Sequence, residues 1–371
     1  VPLRRRPSSR IAVRLESSAA AHLPAAPSTP DRAGGVAPSR RIATLAVMDA
    51  EYFPLLFGAE ECGALGEVAR FVGPRRDAAE LSESPGLGEE VEALIAGWGM
   101  PVLDEALLRC FPRLRIVFYA AGTIRNIVTE ASWRRGIRFT TAALANARPV
   151  AEFTQAAIVF ALKRVWERAR SLREDNRYQR HCPPIPGCYG TTVGLLALGK
   201  IGRLVAQRLH ELDVRVIAYD PFVDRAEVEK LGVRLCSIEE LFATSDVVSC
   251  HLPLYAGTEG LIDGALLRRM KPNATFINTA RGAVVNELEL IAVLQERPDL
   301  QAVLDTIVEE PPPPGHALLT LPNVFVTPHI AGSMCFECRR MGIMMVDEFR
   351  RYHAGEPLRG EVREAELAYL A

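Results

Sequence analysis

The chain has 371 residues, 49% of them hydrophobic and 24% charged, with a formal net charge of −1. That length accommodates two ordinary domains with sizeable cores, and the composition is that of a globular enzyme rather than a low-complexity chain. The balanced charge gives no reason to expect nucleic acid or an acidic membrane as partner, and the longest apolar candidate, residues 156–162, is far too short to span a bilayer.

Residues 1–40 are rich in Arg, Ala, Ser and Pro, with little acid and no periodic apolar face, so a disordered tail is expected. An Arg- and Ser-rich leader resembles an organelle transit peptide; an over-extended gene start or a plain flexible tail accounts for it equally and is preferred. From residue 41 the pattern turns α/β. Strands are expected at 42–48, 91–96 and 114–119 with helices between, and residues 133–136 close the helix that follows. Val150, Phe153, Ala157, Phe160, Ala161 and Val165 recur at helical spacing, which predicts a helix over 150–170 long enough to bridge two lobes. A Pro/Gly-rich loop over 182–190 separates it from the next strand.

Short apolar runs then alternate with amphipathic segments: 193–197, 214–219, 247–252, 275–278, 302–304 and 324–326. Runs without in-out alternation indicate strands buried on both faces, hence a parallel sheet flanked by helices. A last helix is expected over 334–352. The chain therefore divides into a first part of one domain (41–149), a second domain (150–333) and a C-terminal helix (334–371) returning to the first.

Eight cysteines are scattered through an otherwise ordinary chain, several inside strand-like runs such as the one ending at Cys250, so reduced thiols and a cytoplasmic location are expected. Cys335 and Cys338 form a C-x-x-C pair, but no second pair or suitably spaced His completes a metal site. Cys182 and Cys188, flanking the Pro-rich loop, are treated the same way. No metal is expected.

The first turn of the second sheet reads Val193-Gly194-Leu195-Leu196-Ala197-Leu198-Gly199-Lys200-Ile201-Gly202. A dinucleotide fingerprint needs glycine for the tight turn, for backbone approach to pyrophosphate and for helix–strand packing. Gly199 and Gly202 hold the second and third places and Ala197 the first. The turn follows a buried run, opens a helix over 201–212, and the next strand ends in Tyr219-Asp220-Pro221. An acid there accepts ribose hydroxyls and repels a 2′-phosphate, so Asp220 favours NAD over NADP.

Near the C-terminus, Thr327-Pro328-His329-Ile330-Ala331-Gly332 puts an imidazole where a buried strand ends, which is where ligands sit in open α/β sheets. A side chain that titrates near neutrality suits proton transfer to or from a hydroxyl or carbonyl. His251 and His316 lack the Ile-Ala-Gly turn and are read as structural.

Three segments, Asn278-Thr279-Ala280-Arg281-Gly282, Asp305-x-x-x-x-Glu310-Pro311 and the His329 turn, occur with His251-Leu252-Pro253-Leu254 and Val150-Ala151-Glu152-Phe153-Thr154. Together they resemble the D-isomer-specific 2-hydroxyacid dehydrogenases, from about residue 42 to beyond 350. The resemblance implies two Rossmann-like domains with parallel sheets, the cofactor domain inserted into a split substrate domain. It implies a hydride transfer between NAD(H) and C2 of a small D-2-hydroxyacid or 2-oxoacid. His329 is then the general acid/base, Glu310 its orienting carboxylate, and Arg281 the cation that grips the substrate carboxylate and carbonyl. Glu309 is adjacent, but only Glu310 has the family spacing from Asp305. Cofactor contacts are implied at Gly199, Lys200, Ile201, Gly202, Asp220, His251, Pro253, Thr258, Thr279, Ala280, Thr154 and Asp305, the last beside the nicotinamide. Substrate contacts are implied at Ala121, Gly122 and Thr123, and Trp98 either walls the pocket or belongs to the core. Ile124-Arg125-Asn126-Ile127 departs from the family's acidic stretch; for Arg125 and Arg148 a surface role is preferred, service to a second acidic group on the substrate being the alternative. A homodimer formed through the cofactor lobe is likewise implied.

Two other classes compete. One is an NAD(H)-sensing, corepressor-like binding protein on the same scaffold; the other is a methyltransferase, which does not account for Arg281, Glu310 and His329. A formate dehydrogenase is disfavoured because Glu310 stands where those enzymes have Gln. No regulatory domain follows the last expected helix, which argues against a phosphoglycerate enzyme of the larger, regulated type.

Overall fold

A computed structural model describes residues 40–83, 85–176, 178 and 185–367. The tail expected over 1–40 lies outside these residues but for Arg40, and so does Cys182. Among the described residues the strands before residue 142 are β1 (Ile42–Val47), β2 (Ala69–Phe71), β3 (Ala93–Ala96), β4 (Ile116–Tyr119) and β5 (Arg138–Thr141). Then come β6 (Thr192–Leu196), β7 (Arg215–Tyr219), β8 (Arg234–Leu235), β9 (Val247–Cys250), β10 (Thr275–Asn278), β11 (Gln301–Leu304) and β12 (Val324–Val326), with β13 (Glu361–Val362) last.

They form two sheets, ordered β13-β5-β4-β3-β1-β2 and β12-β11-β10-β9-β6-β7-β8. Pairings are parallel throughout except β13 on β5. The chain thus leaves the first sheet after β5, builds the whole second sheet, and comes back to the edge of the first. In the second sheet the strand order reverses between β6 and β9, which opens a crevice at their carboxyl ends. Every residue of β6, β9, β10 and β11 is buried, as continuous apolar runs covered on both faces require.

The bridging helix differs from the expectation. It spans Ala143–Leu162, starting seven residues before the expected 150 and running through Pro149. Proline interrupts the backbone ladder, but the turn before it is fixed by contacts outside the helix, described below. The chain then breaks at Arg164, whose φ is 51°, and resumes as Val165–Asp175. The break is held by the buried Arg164 guanidinium, which donates to the carbonyls of Asn273 (2.9 Å) and Asp299 (3.4 Å) and pairs with Glu167.

The last long helix spans Arg339–Ala354 rather than 334–352, because Cys335–Cys338 forms a 3₁₀ turn first. It packs on the first lobe. Phe349 meets Phe118 of β4 with ring centroids 4.7 Å apart, and both are fully buried; each such ring contributes roughly 1.5–3 kcal/mol by leaving water. A Cβ on Gly342 would stand 1.8 Å from the Leu56 carbonyl oxygen, so only glycine permits this approach. Glu348, also fully buried, accepts from Thr140 Oγ1 (2.7 Å) and from the backbone N–H groups of Arg359 and Gly360 (both 3.0 Å). A buried carboxylate is tolerated only when so satisfied, and here its partners fix β13 against β5.

Candidate active site

The Gly-rich turn joins β6 to the helix Lys200–Leu209. Ala197 adopts φ 73°, the left-handed region where a side chain costs roughly 1–2 kcal/mol. The turn is held by Ala197 N–H donating to Tyr219 O (2.9 Å) and Leu198 N–H donating to Asp220 Oδ2 (2.8 Å). Asp220 Oδ1 accepts the N–H of Phe222 at 2.9 Å. A carboxylate has about four acceptor sites, so these bonds leave room for the ribose contacts expected of it. A Cβ on Gly202 would lie 2.2 Å from Ala197 O, whereas one on Gly199 would meet nothing within 4 Å. The third glycine position is therefore filled by the turn itself and the second faces open space. That is the asymmetry a pyrophosphate cradle needs.

At the carboxyl end of β12, His329 has φ 55°. Asp305, only 2% exposed, builds its turn: Oδ1 accepts from Thr327 Oγ1 (2.6 Å) and Ile330 N (2.9 Å), Oδ2 from Ala331 N (2.9 Å), and its carbonyl from His329 N (3.0 Å). The Asp305 side chain bonds to the imidazole turn, while its N–H donates to Asn278 O at the end of β10 (2.9 Å). His329 Nδ1 lies 2.7 Å from Glu310 Oε2, and Glu310 Oε1 accepts the Ile307 N–H at 3.1 Å. Glu310, not Glu309, is the carboxylate on the imidazole.

Arg281 follows β10. Asn278 fixes its turn by accepting the Ala280 N–H (3.0 Å) and donating to Arg281 O (2.9 Å). Gly282 sits so close to the β11 exit that a Cβ would come within 2.0 Å of Ile307 C. Its missing side chain lets the Arg281 turn lie against the loop carrying Glu310. Burial pulls the Arg281 guanidinium below its usual pKa; the Glu310 charge opposes this and the Arg125 charge adds to it. Arg281, Glu310 and Arg125 thus feel one another, although Arg125 belongs to the first lobe.

The first-lobe loop reaches the same place through Asn146, which the motif reading missed. Asn146 Oδ1 accepts the Ser333 N–H at 2.8 Å. Its side chain also lies 3.3 Å from where a Cβ on Gly332 would be and 3.8 Å from one on Gly122. The Ala121–Gly122–Thr123 segment and the His329 turn therefore converge on one amide. A polar residue between alanines, two positions before Arg148, was the available signal. Trp98 lodges between the two cores of the first lobe with Tyr52 at 5.0 Å, while Arg148 is exposed.

Of the remaining candidates, Thr154 and Thr279 meet at 3.1 Å between their hydroxyls, bringing the bridging helix to the end of β10. Thr258 donates to Pro253 O at 2.5 Å and Ala280 is buried. Lys200 and Ile201 open the helix after the Gly-rich turn. His251 abuts Gly202; burial pushes its pKa down to about 4, so it is neutral at pH 7, with Ser249 Oγ 3.1 Å from Nε2. Cys188, Cys250, Cys335 and Cys338 are free thiols. Among the described residues there is no metal-binding cluster and no helix long and apolar enough to cross a membrane.

Residues 156–331 match the family model described as D-isomer specific 2-hydroxyacid dehydrogenase, NAD binding domain. The chain is 34% identical over 290 residues to a D-3-phosphoglycerate dehydrogenase of Mycobacterium tuberculosis, covering 78% of this chain and 53% of that one. It spans about half the length of such phosphoglycerate dehydrogenases. It is 34% identical over 272 residues to a glyoxylate reductase of Korarchaeum cryptofilum, covering 72% of this chain and 81% of the relative. The NAD-complexed form of a D-isomer specific 2-hydroxyacid dehydrogenase from Lactobacillus delbrueckii ssp. bulgaricus shares the fold: TM-score 0.73, 24% identity, 86% of this chain and all (100%) of that one.

Proposed function

Because the chain belongs to the D-isomer-specific 2-hydroxyacid dehydrogenase family, we propose that it is an NAD-dependent oxidoreductase acting at C2 of a small D-2-hydroxyacid or 2-oxoacid. The observation that carries this reading is the 2.7 Å contact between His329 Nδ1 and Glu310 Oε2. With Nδ1–H donated to a carboxylate, Nε2 is left to face the cleft. It gives a proton to the carbonyl oxygen in reduction and takes one from the hydroxyl in oxidation. Glu310 holds the ring in that tautomer and balances the charge of the imidazolium.

Arg281 presents two parallel N–H groups to the substrate carboxylate and polarises the adjoining carbonyl. Its partial desolvation strengthens that grip. Nicotinamide, when bound, supplies or receives the hydride. On this reading Gly199, Lys200 and Ile201 hold the pyrophosphate, Asp220 the ribose hydroxyls, and Thr154 and Thr279 line the approach to the ring. The charge of Asp220, on this reading, repels a 2′-phosphate, which favours NAD over NADP. Arg125, whose charge acts on Arg281, would suit an oxoacid bearing a further acidic group. The corepressor-like alternative gains no support, since these relatives carry enzyme names.

The test is NADH absorbance with the purified protein against pyruvate, glyoxylate, hydroxypyruvate, phenylpyruvate, branched oxoacids and a dicarboxylic oxoacid, with NADPH in parallel. Oxidation by none of them would return the corepressor reading. Arg281→Lys should raise the oxoacid KM about ten- to hundredfold, because a point charge cannot reproduce the fork and a charged hydrogen bond contributes about 1.5–3 kcal/mol. NADH affinity should change little; an unaltered KM removes Arg281 from the site.

The cofactor lobe also supports a homodimer. Phe160, Trp166 and Phe325 form a ring row, at 5.8 and 5.1 Å, beside the edge strand β12. Phe160 is 48% and Phe325 40% exposed, which suits cover by a second copy. Sedimentation at one chain mass at micromolar concentration would exclude it.

A further inference from the structure

A second carboxylate–imidazole couple lies against the loop that carries Glu310. His316 Nε2 stands 3.2 Å from Glu287 Oε1, and the two side chains are only 15% and 16% exposed. His316 Nδ1 accepts the Leu318 N–H at 3.3 Å. The ring proton therefore sits on Nε2, where it is donated to Glu287. The other oxygen of Glu287, Oε2, accepts the backbone N–H of Val308 at 2.9 Å.

The preceding N–H, that of Ile307, goes to Glu310 Oε1 at 3.1 Å. Consecutive amides of one loop are thus held by two different carboxylates. One of these orients His329; the other is oriented by His316. Glu287 is itself well placed for this, because it opens the helix Glu287–Glu296, whose first turn favours an anion. Gly282 is pressed against the same Ile307–Val308 peptide. The backbone at 307–308 is therefore both closely packed and held by two carboxylates just before it delivers Glu310.

We propose that Glu287 and His316 are positioning residues that hold this backbone so that Glu310 meets the imidazole, setting turnover rather than binding. The inference rests on the roles of Glu310 and His329 proposed above. Glu287→Ala leaves the Val308 N–H without its acceptor and loosens the loop. It should lower kcat about tenfold, since small misplacements near reacting groups are felt strongly. The oxoacid KM and the NADH Kd should stay within about twofold. Glu287→Gln keeps an oxygen for Val308 and should recover most of that loss. His316→Ala should cost less, and adding it to Glu287→Ala should cost nothing more, because the two act as a unit.

Hydrogen exchange in peptides covering residues 305–312 should quicken in Glu287→Ala and not in Glu287→Gln. Wild-type kcat in Glu287→Ala overturns the proposal. So does a parallel fall of kcat, NADH affinity and thermal stability that Gln fails to restore, since that marks a merely structural residue. Glu310→Gln is measured alongside. If it leaves turnover intact, the underlying assignment of the site has failed; if it cripples turnover while Glu287→Ala does not, only the present inference falls.

Discussion

Replacing His329 with alanine should lower kcat by about two to four orders of magnitude, or roughly 3–5 kcal/mol in the barrier, while NADH binds almost as before. The His329 turn offers no second imidazole to pass a proton to or from the substrate oxygen. Binding is spared because the imidazole supports no core: its side chain is 50% exposed and, among the described residues, its hydrogen bond goes to Glu310. The turn beneath it is built by Asp305 from backbone N–H groups and the Thr327 hydroxyl, all of which remain in the variant. Quenching of NADH fluorescence on titration measures the first half of this expectation and steady-state kinetics the second. Turnover within threefold of wild type would remove His329 from the chemistry.

The second large effect is expected at Gly202. An alanine there puts Cβ 2.2 Å from the Ala197 carbonyl oxygen, and the atom it strikes is backbone, not the flexible end of a side chain. The turn must open, at a cost of about 1–3 kcal/mol in stability. The open face at Gly199 is distorted with it, so NADH affinity should fall about a hundredfold. Ala197→Gly should act in the opposite sense. It relieves a residue held at φ 73°, against the extra chain entropy that glycine brings, for a net gain of about 0.5–1 kcal/mol. Calorimetry reads both. A lower melting temperature in Ala197→Gly would show that this turn carries no strain.

The second lobe was legible because β6, β9, β10 and β11 are continuous apolar runs buried on both faces, and because chemistry there sits on glycines and strand ends with fixed spacing. β12, expected to be buried as well, is an edge strand with Phe325 40% exposed. Residues 275–278 were placed without error. What escaped is what lacks that signature. β5 reads Arg-Phe-Thr-Thr and looks like a loop until Glu348 and β13 are seen to close on it. β8 and β13 are two residues each, too short for any periodicity. Pro149 misplaced the start of the bridging helix, because a proline followed by an apolar period is also how a helix begins.

The site was legible in part. His329, Glu310 and Arg281 sit in motifs, and their turns follow strands. Asn146 and Glu287 act by bonding backbone farther along the chain, 187 residues away at Ser333 and 21 residues away at Val308. No local pattern encodes such a pairing. Asp305 was visible, but the use of its carboxylate was not, since only coordinates reveal that three turn residues point their donors at it.

Asn146 carries one more consequence. The chain passes between the lobes twice, once as the helix Ala143–Leu162 and once through Ser333 to the helix Arg339–Ala354, and the Asn146 amide helps tie these two crossings together beside the Ala121–Gly122–Thr123 segment. Two independent tethers would let the lobes slide or twist; two tethers tied at one knot leave chiefly a swing about that knot. Any opening of the cleft should therefore shift the residues around Asn146 least and the rim toward Asp220 most.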